Sequence, residues 1–334
     1  MKTVLTGVKP TGQLHIGNYV GAIRPMIQMG YELYKTNDRH IMFVADYHAL
    51  NYLKDTAKLH QITREVACAY LACGLDASKS IFYKQSDIPE IFELTTILTN
   101  YTPKGFMNKA HAYKAAVDKN HEKGEPTDAG INMGLYDYPI LMAADILMYN
   151  TDIVPVGKDQ VQHVEIAQDI AGAMNAVYGQ EVLKIPGYAV QEHAQTLPGT
   201  DGRKMSKSYN NVIPLFETDA EIKKAIMGIK TDCQDINAPK NPEEILLFEI
   251  VRGFCPESVI AEVEAGLRNG GMGYGTIKKM LLESVLAEVT PIRDKYNDFM
   301  THYDTVQDML NEGAQKARAI ARPNLDRIRK IILG

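Results

Sequence analysis

Two short stretches of this chain carry residue types suited to holding a nucleotide's phosphates. They are Pro10-Thr11-Gly12-Gln13-Leu14-His15-Ile16-Gly17-Asn18 and, far downstream, Lys204-Met205-Ser206-Lys207-Ser208. Attack of a carboxylate on the α-phosphorus of ATP spreads negative charge over the phosphoryl oxygens and the leaving pyrophosphate. Little covalent help is available for such a step, so catalysis rests on positioning and preorganised positive charge. His15 can donate a hydrogen bond to a phosphate oxygen, and Gly17 lets the adenine lie against bare backbone. Asn18 can donate through its amide, and the helix it opens points its N-terminus at the anion. Lys204 and Lys207 sit in a loop able to close over the phosphates and meet the departing pyrophosphate. Each stretch alone has a plainer meaning, a helix cap with a surface histidine for the first and a solvated loop for the second. Together, in this order and about one nucleotide-binding domain apart, they predict adenylation of a carboxylate with ATP and Mg²⁺.

The elements that must position them alternate along the chain. Val4-Leu5-Thr6 is a short apolar strand running into Gly7 and the Pro10/Gly12 turn. A helix is expected from about Asn18, with Tyr19, Ala22, Ile23, Met26 and Ile27 at helical spacing. Ile41-Met42-Phe43-Val44-Ala45 reads as a buried strand ending at Asp46, residues 56–74 as a helix closed by a glycine, and Ile81-Phe82-Tyr83 as another strand. This is the pattern of a parallel sheet with crossover helices. Ligands bind beyond the carboxyl ends of such strands, where Gly7 to Asn18 and Asp46 to His48 would lie. Residues 90–125 look helical, a second apolar helix is expected from Tyr138, Ile153 to Gly157 is strand-like, and a long helix runs through Ile166 and Ile170. Residues 195–208 form a loop rich in Pro, Gly, Ser and Lys. Beyond it, Thr218 or Asp219 caps an amphipathic helix whose stripe is Ile222, Ala225, Ile226 and Ile229. The predicted fold is α/β: a Rossmann-like parallel-sheet catalytic domain over residues 1–208, then an all-helical domain over 209–334. The latter ends in a basic stretch of Lys316, Arg318, Arg322, Arg327, Arg329 and Lys330.

Bulk properties exclude several classes. A net charge of −5 argues against a generally basic nucleic-acid binder while leaving room for a local basic face. Cys68, Cys73, Cys233 and Cys255 are too sparse for a disulfide framework, and the first two read as helix packing. No run approaches the length of a membrane span. The polar, glycine-bearing start leaves no apolar core for a signal peptide. A reduced, cytoplasmic protein is expected.

The two motifs resemble the signatures of class I aminoacyl-tRNA synthetases, with Asn18 where many members carry a second histidine. The stretch between them narrows the likeness. Tyr138-Pro139-Ile140-Leu141-Met142-Ala143-Ala144-Asp145-Ile146-Leu147, with Asn150 to His163 after it, closely resembles the bacterial tryptophanyl-tRNA synthetase family. Asp46-Tyr47-His48-Ala49 is similar to that family's second-strand motif, and the similarity covers essentially the whole chain. The resemblance implies that Asp145 accepts the indole N–H while Met142, Val154 and Val156 pack on the ring. It implies Tyr138 and Gln160 at the substrate ammonium and His48 lining the pocket. It also implies Gly157 and Asp159 at the ATP ribose, with Lys158 between them. Lys9, Pro10, Thr11, Met205, Ser206 and Ser208 join the ATP-binding set. The chemistry agrees, since indole is a large apolar ring with one donor. A buried acceptor rejects rings lacking that N–H more strongly than shape does.

The resemblance further implies L-tryptophan, ATP and tryptophan tRNA as partners, a homodimer, and a helical domain at the anticodon. The substrate carboxylate is the nucleophile, so no protein general base is expected. Two departures stand out: Lys9 where the family often has Gln, and Leu5 where an aromatic residue is common. Some relatives bind an iron–sulfur cluster through four cysteines in the helical domain; only Cys233 and Cys255 fall there, so none is expected. The chain contains no tryptophan, and an enzyme that charges tryptophan without containing any can be made when it is scarce. Tyrosine is the rival substrate. A non-catalytic synthetase-like relative and a small nucleotidyltransferase are the rivals of other classes.

Overall fold

In the computed structural model, which describes residues 1–10, 12, 14–157, 160–190 and 197–334, five strands make one parallel sheet. They are β1 (Thr3–Val8), β2 (Arg39–Val44), β3 (Ile81–Lys84), β4 (Ile153–Val156) and β5 (Gly187–Val190), in the order β3-β2-β1-β4-β5. β1 leads through α1 (Arg24–Lys35) to β2, and β2 through α2 (Thr56–Ala72) to β3. The chain then returns through α3 (Pro89–Thr99), α4 (His111–Glu122) and α5 (Met133–Leu147) to β4, on the other side of β1. α6 (Val161–Tyr178) carries it on to β5. The strand order thus reverses between β1 and β4, and such a reversal opens a ligand crevice at the carboxyl ends of the strands.

Side chains alternate across the sheet, and register partners share a face. Leu5, Ile41, Phe43 and Tyr83, with Val154 and Val156, pack on α3, α5 and α6. Met42, Val44 and Phe82 face the opposite side, where they join Ile16, Tyr19, Val66 of α2 and the helices after residue 218.

Those helices are α7 (Asp219–Met227), α8 (Leu246–Phe254), α9 (Glu257–Asn269), α10 (Tyr274–Thr301) and α11 (Tyr303–Leu333). Thr218 caps α7 in a reciprocal box with Glu221; Ile222, Ile226 and Ile229 are buried and Ala225 partly so. α10 packs on α2 and α7. α11 instead lies along β3 and α3, and Ala314, Ala317, Ala321, Leu325 and Ile328 enter the same cluster as Leu5 and Phe43. A Cβ at Gly313 would overlap the Phe82 carbonyl, so glycine is what lets the helix approach the strand. Part of the basic stretch pairs inward: Arg318 donates from Nε and Nη2 to buried Glu90, and Arg329 Nε lies 3.3 Å from Glu93.

Three local elements differ from the sequence expectation. Helix after the first motif is interrupted by a wide π turn at Tyr19–Ile23, in which the Arg24 N–H bonds the Tyr19 carbonyl. Pro25 follows and has no N–H to give the carbonyl four residues back. The extra residue in the turn shifts the buried face, so Val20 is buried and Ala22 is exposed. α5 begins at Met133, earlier than Tyr138, because the Asn132 side chain caps Leu135 N at 2.9 Å and Pro139 is accommodated inside the helix. β5 carries no long apolar run; as an edge strand with mostly exposed side chains it gives periodicity little to act on.

Candidate active site

The first motif folds as a tight cap at the carboxyl end of β1. His15 precedes the helical turn Ile16–Asn18; its Nδ1 accepts from the Asn18 N–H, and Asn18 Oδ1 accepts from the His15 N–H, both at 3.2 Å. With Nδ1 used as an acceptor, the neutral imidazole carries its proton on Nε2, the nitrogen left to donate. Burial, and then the Lys207 charge, holds this imidazole down to about 4, so it is neutral at physiological pH. Asn18 likewise uses its oxygen in the cap, and what it can offer a ligand is the amide NH₂.

The second motif is brought against the first by backbone pairing. Ile16 N–H donates to Ile213 O at 2.9 Å, Leu215 N–H donates to Leu14 O at 3.3 Å, and His15 and Pro214 form an antiparallel bridge. Met205 is buried in the cluster that holds Ile16, while Lys204, Lys207 and Ser208 are exposed. A Cβ on Gly12 would stand 3.2 Å from Lys207 Nζ. One on Gly17 would press on the His15 ring at 3.0 Å and on Met205 Sδ at 3.2 Å. Gly12 and Gly17 are therefore points at which the two motifs come close. Partial desolvation of their ammonium groups lowers the pKa of Lys207 and of Lys9. Lys9 Nζ lies 5.2 Å from the centre of the Tyr52 ring, and Tyr52 O–H donates to Pro10 O at 2.7 Å.

Asn211, which no motif pointed to, organises the lysine loop. Its Oδ1 accepts from Ser206 N at 2.8 Å, and its Nδ2 donates to Asp201 Oδ1 at 2.7 Å and Lys204 O at 3.1 Å. The bond from Asn211, with those from Arg203, holds the Asp201 carboxyl at about 2. Ser206 and Ser208 share a hydroxyl contact of 2.9 Å. The sequence clue was an Asn pair just past the motif, a turn signal.

The third group surrounds α5. Asp145 is fully buried, with His48 Nε2 3.0 Å from its Oδ2 and the Gln85 amide on both oxygens. Burial raises the Asp145 carboxyl pKa, and the bonds from His48 and Gln85 pull the other way. Tyr138 meets the His48 ring edge-on at 6.2 Å, and its hydroxyl lies 2.5 Å from His163 Nε2. Gln160, exposed and three residues before His163, opens α6 on that side. Its N–H bonds the Gly157 carbonyl at 2.9 Å, closing the turn after β4. Val154 and Val156 are buried on the face of the sheet that α5 covers, and Met142 is partly buried against the same cluster. A cavity of about 420 Å³ opens beside His48 and Tyr138, reaching Asn51, Asp137 and Leu141. Gln85 and His163 were missed from sequence. The clue for Gln85 was a polar residue directly at the carboxyl end of an apolar strand. Thr11, Lys158 and Asp159, expected at the nucleotide, lie outside the described residues.

Comparison with known proteins gives the family. The family described as tRNA synthetases class I (W and Y) matches residues 1–290. The tryptophan–tRNA ligase of Neisseria meningitidis serogroup A is 46% identical over 332 residues, spanning 99% of this chain and 97% of that protein. The Pseudomonas aeruginosa ligase is 45% identical, over 98% of this chain and 73% of its own length. Among solved structures, the tryptophanyl-tRNA synthetase of Campylobacter jejuni complexed with ADP and tryptophan superposes with a TM-score of 0.88. It shares 42% identity, with 99% of this chain and all of that one covered. A parallel nucleotide-binding sheet, two motifs zipped together at its switch point, and likeness along essentially the whole chain lead to one assignment: the chain belongs to the tryptophanyl-tRNA synthetases of class I.

Proposed function

We infer that the chain activates L-tryptophan with ATP and transfers it to the 3′ end of tryptophan tRNA. In the first step the tryptophan carboxylate attacks the α-phosphorus, the bond to the bridging oxygen breaks, and pyrophosphate leaves. In the second, a ribose hydroxyl of the terminal adenosine attacks the adenylate carbonyl and AMP leaves. The nucleophile of the first step is already an anion, so no protein base is needed for it.

The residue roles follow from the chemistry of each group. His15 donates from Nε2, and Asn18 from its amide, to the phosphate oxygens. Lys204 and Lys207 neutralise the pyrophosphate as it departs, on a loop that Met205 anchors. Lys9 and Pro10 border the nucleotide. Mg²⁺ would enter with the triphosphate and help neutralise its charge, beside the cations and donors of His15, Asn18, Lys204 and Lys207 that fit the phosphates. Asp145 accepts the indole N–H, Met142, Val154 and Val156 wall the ring, His48 lines the pocket, and Tyr138 and Gln160 hold the ammonium. Residues 1–208 form the activating domain and 209–334 the domain that reads the anticodon. A cytoplasmic homodimer without an iron–sulfur cluster completes the reading; Cys233 and Cys255 alone fall short of four thiolates. No helix among the described residues is long and apolar enough to cross a membrane.

The observation that carries the nucleotide site is the pairing of residues 14–16 with 213–215, which sets the Lys207 charge beside His15. The test is amino-acid-dependent exchange of labelled pyrophosphate into ATP, across all the standard amino acids and without tRNA. Exchange with tryptophan alone is expected. Exchange with tyrosine would move the specificity to the phenol, and none with any amino acid, from folded protein, would sink the catalytic reading.

A further inference from the structure

We propose that Gln85 is a positioning residue for tryptophan selection, holding the Asp145 carboxylate so that one oxygen keeps an open site for the indole N–H. The proposal rests on Asp145 being the indole acceptor, as argued above. Gln85 sits at the carboxyl end of β3. Two residues beyond Tyr83, it faces the same side of the sheet, toward α5. Gln85 and Asp145 are both 0% exposed. The Gln85 amide nitrogen donates to Asp145 Oδ2 at 2.8 Å and to Oδ1 at 3.0 Å, and His48 Nε2 lies 3.0 Å from Oδ2.

An ionised carboxylate offers about four acceptor sites, two on each oxygen. Oδ2 is filled by His48 and Gln85, while Oδ1 takes only Gln85 and has one site over. Two donors, one from the end of β2 and one from the end of β3, fix the carboxylate plane. Removing Gln85 would leave the group held on one oxygen only, able to turn. It would also let burial favour the protonated acid, which is a weaker acceptor than the carboxylate and turns one oxygen into a donor. The other end of the amide points to the same role. Gln85 Oε1 is buried without a hydrogen-bond partner, an exception among buried polar atoms that needs an explanation. The amide is committed to Asp145 at the expense of its own oxygen. Gln85 reaches the substrate only through Asp145.

The test is pyrophosphate exchange by Gln85→Met and Gln85→Glu with tryptophan and with L-β-(3-benzothienyl)alanine, an isostere whose sulfur replaces the N–H. For Gln85→Met the KM for tryptophan rises about 10- to 100-fold, the worth of one hydrogen bond to a charged group. The KM for the isostere, the KM for ATP and kcat stay near their starting values. Gln85→Glu recovers its preference for tryptophan as pH is lowered, because a protonated carboxyl donates to Asp145 where two carboxylates repel; Gln85→Met shows no such recovery. Equal losses with both amino acids, or an unchanged preference for tryptophan, overturn the proposal. If Gln85→Met does not fold, Gln85→Glu decides by whether acidification restores the preference. Asp145→Ala, run alongside, separates the two claims. If it keeps the preference, the acceptor assignment falls; if it loses it while both Gln85 variants keep it, only the role of Gln85 falls.

Discussion

The two ends of the site solve different problems with different materials. At the nucleotide end the groups are cations, a capped imidazole and glycine backbone, carried on turns, with Lys204 and Lys207 exposed. At the amino-acid end they are a buried carboxylate and two buried partners on three packed elements. A phosphate chain presents the same charge to every enzyme that uses it, so it can be met by exposed cations without a shape-matched pocket. An indole must be told from other rings, and that discrimination comes from a polar group that cannot move or find water when the wrong ring enters. On the proposed assignment, rate is concentrated in the loops and selectivity in the core.

The contrast breaks most sharply at Asp145. In a site built around an N–H, preference for tryptophan over its benzothienyl isostere is expected to be about 10⁴-fold. Asp145→Ala should collapse that ratio toward unity in exchange assays while kcat for tryptophan survives; an intact ratio would place selection elsewhere. Next comes Lys207→Ala, which should lower kcat by about 10²–10³-fold with little change in KM for tryptophan. A comparable rise in that KM would mean the two ends are not separable. Asn211→Ala strips the lysine loop of its three anchoring bonds and should cost about 1–3 kcal/mol in urea unfolding. It should slow exchange without altering amino-acid preference, which a competition assay would show. The smallest effect concerns His15. It titrates at about 4 in the folded chain and near 6.5 when unfolded. Between those values only the unfolded chain takes the proton, so stability falls as pH drops from 6.5 toward 4. His15→Asn keeps a capping side chain and removes that titration. Its urea midpoint should shift less between pH 7 and pH 5 than that of the parent, and an equal shift would assign the slope to other groups.

Legibility from sequence divided along the same line. The nucleotide motifs are contiguous words whose chemistry can be read from neighbouring residues, and the strands behind them show as apolar runs. The relation between the motifs cannot be read that way, because it is made by residues 213–215 pairing with 14–16 across most of the chain. Asn211 gains its meaning only once that pairing exists. At the amino-acid end the role of Asp145 came from the family resemblance, since an acid in an apolar helix by itself reads as a carboxylate paired in the core, and Gln85 and His163 acquire roles only through partners on other elements. The π turn at Tyr19–Ile23 and the early start of α5 escaped for a local reason. Pro25 and Pro139 each interrupt the hydrogen-bond ladder, and helical periodicity treats every turn as the same width.

The return of α11 to β3 also has a consequence for how the chain comes into being. Ala314 to Ile328 complete the core that Leu5 and Phe43 begin, so the first strand waits for a helix made far downstream. Contacts of such sequence separation form late and slowly. Until α11 emerges during synthesis, the outer edge of β3 is an unpaired strand, the kind of surface on which chains aggregate. A ribosome-bound chain stopped short of Gly313 is therefore the form of this protein most in need of a chaperone.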